Sequence, residues 1–200
     1  MKPILFDLPV PIETPRLLLR PPQMGDGSMV NEAILESLVE LRPFMPWANE
    51  TPSVDDTEEF VRLAAANWIL KKNDEPYLPL FILDRQTSRF LGATGYRHFT
   101  WNVPCIETGY WLRSSSTGKG IMTEAINAVT RYAFIELKVK RIGITCASYN
   151  YRSRKIPERL GYTLEAVQKC NRLTSENQLA DTLVFTRHDL NGLPDLEVKW

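Results

Sequence analysis

The residues with the clearest capacity for chemistry lie in one stretch, 110–136, read YWLRSSSTGKGIMTEAINAVTRYAFIE. An apolar segment ends at Arg113, a polar loop carrying Gly118 and Gly120 follows, and a long amphipathic segment begins after it. A glycine loop that opens a helix is suited to anions. The first backbone N–H groups lack intrahelical partners, and the helix dipole places positive potential at the same end. Gly118 and Gly120 carry no Cβ, so a phosphate can approach the backbone, and Lys119 adds a mobile charge. A phosphorylated cofactor is the natural guest; a surface turn ahead of an ordinary helix is the alternative.

Two common nucleotide motifs do not fit. A triphosphate-binding loop needs a glycine where this chain has Arg113 and a serine or threonine where it has Gly120. A dinucleotide fingerprint needs a third glycine at the position of Thr123.

The elements that must position this loop follow from periodicity. Residues 1–14 read as an extended arm, and Arg16–Arg20 as a strand stopped by Pro21 and Pro22. A helix is expected from about Asp26 to Glu40, with Met29, Ala33, Ile34, Ser37 and Leu38 on its apolar face. The proline-rich stretch from Arg42 to Ser53 cannot continue it. Its large side chains, Phe44 and Trp47 among them, either cap the core or line a pocket. Ser53 or Asp55 can cap the next helix, Asp56–Lys72, whose expected buried stripe is Phe60, Leu63, Ala64, Asn67 and Trp68. Leu78–Asp84, Phe90–Phe99 and Cys105–Arg113 read as an antiparallel meander joined by short turns, the second of them TWNVP. Helix 121–137 repeats its apolar face at Met122, Ala125, Ile126, Val129 and Tyr132, and strand Arg141–Ser148 can then lie parallel to the strand before the loop. Asn150–Leu160 reads as a loop with a short helix ended by Gly161, and Tyr162–Cys170 and Leu179–His188 as two last strands before a tail, 189–200, without a clear element. One α/β domain over 1–200 is the expectation.

Composition narrows the function classes. A formal net charge of zero argues against a nucleic-acid or membrane-surface partner. Cys105, Cys146 and Cys170 are odd in number and lie in strand-like stretches, which suggests buried free thiols in a reducing compartment. The first residues lack the pattern of a signal or transit peptide, and no apolar run reaches spanning length, so a soluble cytoplasmic protein is expected. No histidine–carboxylate group has metal spacing; His98 and His188 are lone residues, His98 a minor candidate for the acceptor site.

Four stretches together, TPRLLLRP (14–21), LRPFMPW (41–47), IETGYWLRSSSTGKGIMTEA (106–125) and NYRSRKIPERLGYTLEA (150–166), resemble the GNAT acetyltransferases, and within them the RimJ/RimL-type branch that acetylates protein N-termini. The resemblance implies an α/β (α+β) GNAT fold: a central mixed, mostly antiparallel sheet of about seven strands, splayed at the acetyl-CoA site and flanked by helices. It implies acetyl-CoA as cosubstrate, held by the loop Thr117, Gly118, Lys119, Gly120, Ile121 and Met122, with the pantetheine arm against the backbone of Trp111, Leu112 and Arg113 and the side chain of Asn150. Thr117 departs from the family's glutamine or arginine, and Met122 replaces a small residue, but neither removes a backbone donor.

The acceptor amine must be neutral to attack, and an α-amine with a reference pKa of about 8 is only partly so at neutral pH. Glu107 matches the family's acidic residue on this strand and alternates onto the same face as Trp111, so it is the candidate base, a hydrogen-bonded structural glutamate being the alternative. The tyrosine that many members place seven residues after the asparagine is Pro157 here, so the leaving thiolate falls to Ser153, which otherwise would cap the short helix. Arg172 stands where RimL-like members carry a second acidic residue, and it could instead meet an acidic substrate. Phe44, Met45 and Trp47 match the loop that walls the acceptor site. The resemblance also implies a protein N-terminus, with a ribosomal protein among the candidates, as partner, and homodimers as a state common among relatives. An acceptor of small-molecule type and a catalytically silent CoA-binding module are the other readings.

Overall fold

The structure is a computed structural model and describes residues 3–71, 77–100 and 102–200. Short apolar runs bounded by turn residues form the strands β1 (Ile12–Glu13), β2 (Leu17–Arg20), β3 (Leu78–Asp84), β4 (Phe90–Thr100), β5 (Cys105–Thr108), β6 (Trp111–Leu112), β7 (Arg141–Ala147), β8 (Thr163–Leu173) and β9 (Leu179–Arg187). The longer segments with a 3.6-residue period form α1 (Gly27–Leu41), α2 (Val54–Leu70), α3 (Ile121–Ile135) and α4 (Tyr151–Arg159). Among the described residues one sheet runs β1-β2-β3-β4-β5-β7-β9-β8, with β6 attached to β4 off this path. Among the described residues only β5 and β7 pair in parallel, as a helical crossover allows.

The expected strand count rises to nine for two reasons. The arm contributes β1, and the run 105–113 is split into β5 and β6. The tail is not loose: Glu13 exchanges backbone hydrogen bonds with Lys199, and Trp200 stands edge-on to Tyr132 while its Nε1 donates to Glu136. The TWNVP turn includes Trp101, which lies outside the described residues, as does the expected helix end at Lys72.

Each face of the sheet carries its own apolar layer. α3 packs Ala125, Ile126, Val129 and Tyr132 against Leu80, Ile82 and Tyr96, and the Tyr96 hydroxyl donates to the Val129 carbonyl at 2.7 Å. α1 and α2 cover the other face through Val30, Ile34 and Val61 on Phe81 and Phe90. Fully burying one such side chain contributes about 1.5–3 kcal/mol, so these two layers hold the helices in place.

The cap of α2 is Ser53, in a reciprocal capping box with Asp56. Of its expected stripe Ala64 and Trp68 are buried, together with Thr57 and Val61, while Phe60 and Leu63 are exposed. The Trp68 indole donates to the Pro79 carbonyl, so the inward face is centred on Val61 and Ala64, one position round from Phe60 and Leu63. Of the three cysteines, only Cys146 is fully buried; Cys170 is exposed, in a left-handed conformation at an irregularity of β8.

α1 is tied to the end of β6. Arg113 is buried and its guanidinium bonds Glu32 and Glu36, while Ser114 N–H donates to Ser37 Oγ and Ser115 N–H to Glu36. Burial alone would raise the Glu36 pKa, but hydrogen bonds from Ser115 and Arg113 outweigh it and hold the carboxyl at about 2, against an ordinary 4.5. A carboxylate whose folded pKa is depressed stabilises the fold above its unfolded pKa, and that contribution is lost as pH falls through the folded value. Glu36→Gln should therefore be less stable than the parent at pH 7, and the gap in urea midpoint should close between pH 4.5 and about 2.

Candidate active site

The site begins with a break in a strand. Cys105, Ile106 and Glu107 pair in parallel with Arg141, Ile142 and Gly143, but beyond the break Trp111 and Leu112 pair only with β4. The second edge of β6 therefore faces a gap toward β7. The break is built from side chains: Thr94 Oγ1 donates to the Gly109 carbonyl (3.0 Å), and Thr108 Oγ1 donates to the Gly95 carbonyl (2.8 Å). Backbone groups that would otherwise join a ladder are satisfied locally instead. Gly92 lets β6 lie close, since a Cβ there would stand 2.3 Å from the Trp111 carbonyl oxygen.

At the end of the gap sits the glycine loop. Gly118 and Gly120 are both left-handed (φ 76° and 74°), and Gly120 caps α3 without a side chain, which leaves the first amides of α3 open to an anion. A Cβ on Gly118 would meet nothing within 4 Å, so its outer side is open. Ile121 and Met122 bury their side chains in the core and can offer only their backbone. Thr117 Oγ1 donates to the Ser114 carbonyl and Lys119 Nζ to the Ser115 carbonyl, so both side chains stiffen the loop. This open, donor-rich cradle fits the pyrophosphate of a CoA thioester.

A brace that sequence reasoning missed holds the loop from outside. Arg16 donates from Nη1 to the Lys119 carbonyl (3.0 Å) and from Nε to Glu124 (2.6 Å), and Thr14 Oγ1 donates to the other Glu124 oxygen. The TPR triplet of 14–16 thus acts on the cofactor loop rather than only on its own strand. Arg113 also differs from expectation. Its N–H is engaged with Leu91 O and its carbonyl with Ser116 N, so it anchors the loop, and the free strand edge belongs to Trp111 and Leu112.

The two faces of the broken strand carry different chemistry. On the α3–α4 side, Asn150 caps α4 by accepting the Ser153 N–H at 3.0 Å; Ser153 is not the cap. Pro157 has no N–H, so the Ser153 carbonyl lacks its helical partner. The Tyr110 hydroxyl takes that place, donating to Ser153 O at 2.9 Å, and accepts from Ser153 Oγ at 3.2 Å. Burial pushes the Tyr110 phenol pKa well up, more than the bond to Ser153 lowers it, so the group stays protonated. Cys146 on β7 is also buried beside Ser153, and burial pushes its thiol up.

The opposite face holds the acceptor candidates. Glu107 pairs with Arg97 and Trp111 with Ala93, residues of like parity on β4, so Glu107 and Trp111 do share a face. Arg97 Nε is 3.9 Å from Glu107 Oε2, and its Nη2 donates to Thr145. A cavity of about 390 Å³ opens here between α1, α2 and β4, bounded by Met45, Trp47, Arg97 and Trp111. The Trp47 ring lies 5.8 Å from that of Trp111. A second cavity, about 590 Å³, runs between residues 42–49 and β8 and is lined by Phe44, Met45, Tyr149 and Arg172. Met45 borders both. Arg172 Nε donates to Thr182 Oγ1. His98 is exposed with a left-handed backbone and lines neither cavity, and His188 is exposed. Among the described residues no group of His, Cys, Asp or Glu could hold a metal ion.

Comparison with known proteins agrees with this geometry. The family model described as "Acetyltransferase (GNAT) domain" matches residues 16–163. The chain belongs to the GNAT acetyltransferases, a family of acetyl-CoA-dependent acyltransferases. YdaF of Bacillus subtilis (strain 168), provisionally named a ribosomal N-acetyltransferase, is 44% identical over 59 residues, 30% of this chain and 32% of the relative. This match therefore spans about a third of the curated relative's length. The ribosomal-protein-serine acetyltransferase of Escherichia coli (strain K12) is 25% identical over 129 residues, 64% of this chain and 69% of the relative. The solved structure of RimL, a ribosomal L7/L12 alpha-N-protein acetyltransferase in complex with coenzyme A, superposes with a TM-score of 0.78 at 20% identity, covering 92% of this chain and 98% of that one, and supports the fold.

Tyr110→Phe removes the donor to the Ser153 carbonyl and the acceptor for its hydroxyl. Steady-state kinetics should show kcat lowered about tenfold, with the KM for acetyl-CoA within about twofold of the parent, and a stability loss of about 1 kcal/mol.

Proposed function

We propose that this chain transfers the acetyl group of acetyl-CoA to the N-terminal α-amine of a protein. The observation that carries the reading is a pair of cavities that share Met45 as a wall, the first lined by Arg97, the partner of Glu107. One is a recess beside the broken strand; the other lies between the 42–49 loop and β8, where an extended chain behind its first residue would run. The names of relatives that act on ribosomal proteins suggest the same acceptor class, in the cytoplasm. No helix among the described residues is long and apolar enough to cross a membrane.

Bound acetyl-CoA supplies an activated thioester. The residues of this chain do the rest from two sides. The loop 117–122 and the open edge of β6 orient the cofactor, with Asn150 at the start of α4 beside the arm. Glu107, partly exposed on the acceptor face, takes the proton that the amine must lose, directly or through a water. Ser153, whose hydroxyl hydrogen points to Tyr110 in the free site, turns it to the sulfur on the other face once the thiolate develops. Amine entry and thiol exit are thus separated by the strand itself.

Incubation of the protein with isotopically labelled acetyl-CoA and a fractionated lysate, followed by mass spectrometry, tests the acceptor. Label on protein α-amines is expected, and label confined to small molecules would refute the protein acceptor. Glu107→Gln should lower kcat by about 10²-fold or more while acetyl-CoA affinity by calorimetry stays within twofold; unchanged kcat would remove Glu107 as base.

A further inference from the structure

We infer that the acceptor carries a large apolar side chain on the carbon beside its reacting amine. This rests on the reading of the Glu107 face as the acceptor side. The 390 Å³ cavity is within the range of about 300–1,000 Å³ typical of small-ligand pockets. Its floor is Phe81 and Ala93, its walls include Ile34, Phe60 and Trp111, and Trp47 stands half-exposed at the mouth. Besides the Tyr77 phenol, most of the polar side chains on its lining are engaged within the protein. Thr57 donates to the Ser53 carbonyl, Thr94 donates to the Gly109 carbonyl, and Asp56 is held in the α2 capping box. The recess therefore offers a guest mainly apolar surface, with the one lining carboxylate, Asp56, exposed and bonded through Oδ2 to Ser53.

Arg97 is the exception. Its Nε is buried without a hydrogen-bond partner, with the Glu107 carboxylate 3.9 Å away. Nε itself is covered, but the side chain is 43% exposed, so the outer N–H groups of the same guanidinium can donate to the carbonyl oxygen of an acceptor's first residue. Held there, the residue has its amine near Glu107 and the Gly109–Trp111 break, and its side chain faces the recess. Serine, alanine or glycine in that position would leave the cavity unfilled and forgo apolar burial. Each methylene placed in such a pocket changes kcat/KM by about 10–200-fold.

The test uses the full chain at saturating acetyl-CoA and a set of pentapeptides that differ only in the first residue: Gly, Ser, Lys, Leu, Phe or Trp. The amine 2-phenylethylamine is run beside them. Leu, Phe or Trp peptides should exceed the Ser peptide in kcat/KM by at least about tenfold. Ala93→Leu, which fills the floor, should bring that ratio toward one. Should Ala93→Leu not fold, Trp47→Ala at the exposed mouth should lower the same ratio. A Ser peptide equal to or better than the Phe peptide, with a ratio that neither variant moves, would overturn the inference and leave the N-terminal reading standing. Acetylation of 2-phenylethylamine with no peptide acetylated would do the reverse, supporting the apolar recess and refuting the protein acceptor. No acceptor modified at all would overturn both.

Discussion

The hydrogen bond from Thr94 Oγ1 to the Gly109 carbonyl is the small interaction on which the site depends. It removes one backbone acceptor from the sheet, at a point where Thr108 satisfies the Gly95 carbonyl in the same way. Both bonds lie on the β4 side and hold the interrupted strand to β4 where the regular ladder lapses. The pairing with β7 stops at Glu107, so the second edge of Trp111 and Leu112 stays open. Two buried threonines, each worth about 1 kcal/mol in net hydrogen bonding, thus keep the break attached to the sheet.

A gap of this kind is useful only if its ends are rigid, and ion pairs supply that from two directions. Arg113 ties the first residues of the loop to α1 through Glu32 and Glu36, and Arg16 ties its last residues to α3 through Glu124. Arg113 is buried while Glu32 is largely exposed, so its pairing with Glu36 carries more of the anchoring. The same helix α1 runs into the loop that walls both cavities. The glycine loop and the wall of both cavities are therefore attached to one element, which fixes the distance between them.

Much of this was legible in the residues. The glycine loop, its helix and the apolar face of α3 follow from spacing alone, and the four stretches named a family before any coordinates. The missed features are those that periodicity does not encode. Phe60 and Trp68 both have the spacing of inward positions on α2. Trp68 is inward, bonded to the Pro79 carbonyl, while Phe60 lies at the edge of that face and is exposed, which spacing alone does not separate. The break at Gly109 and Tyr110 lies inside a run that reads as unbroken strand, because the threonines that brace it are ordinary strand residues. Arg97 is separated from Glu107 by nine residues of sequence and a turn, and a cross-strand pair becomes visible only when register is known. Cys170, expected to be buried, is exposed, because burial of a strand residue depends on what covers that face. The tail has no helix or strand, as expected, but its docking through Lys199 and Trp200 has no signature in spacing.

Pro157 shows how a departure from a family pattern can be read physically. As a sequence feature it removes a tyrosine from the place where many members hold their general acid, and this by itself suggests lost catalysis. In the fold it also removes an amide, and the Ser153 carbonyl is left without its helical bond. The hydroxyl that fills the vacancy belongs to Tyr110, from the break in the strand, and it meets the Ser153 side chain as well. A phenol is therefore present within reach of the serine, supplied by β6's approach rather than by α4. A proline that opens a carbonyl and a tyrosine that satisfies it form one arrangement, and that arrangement favours an active enzyme over a silent binding module.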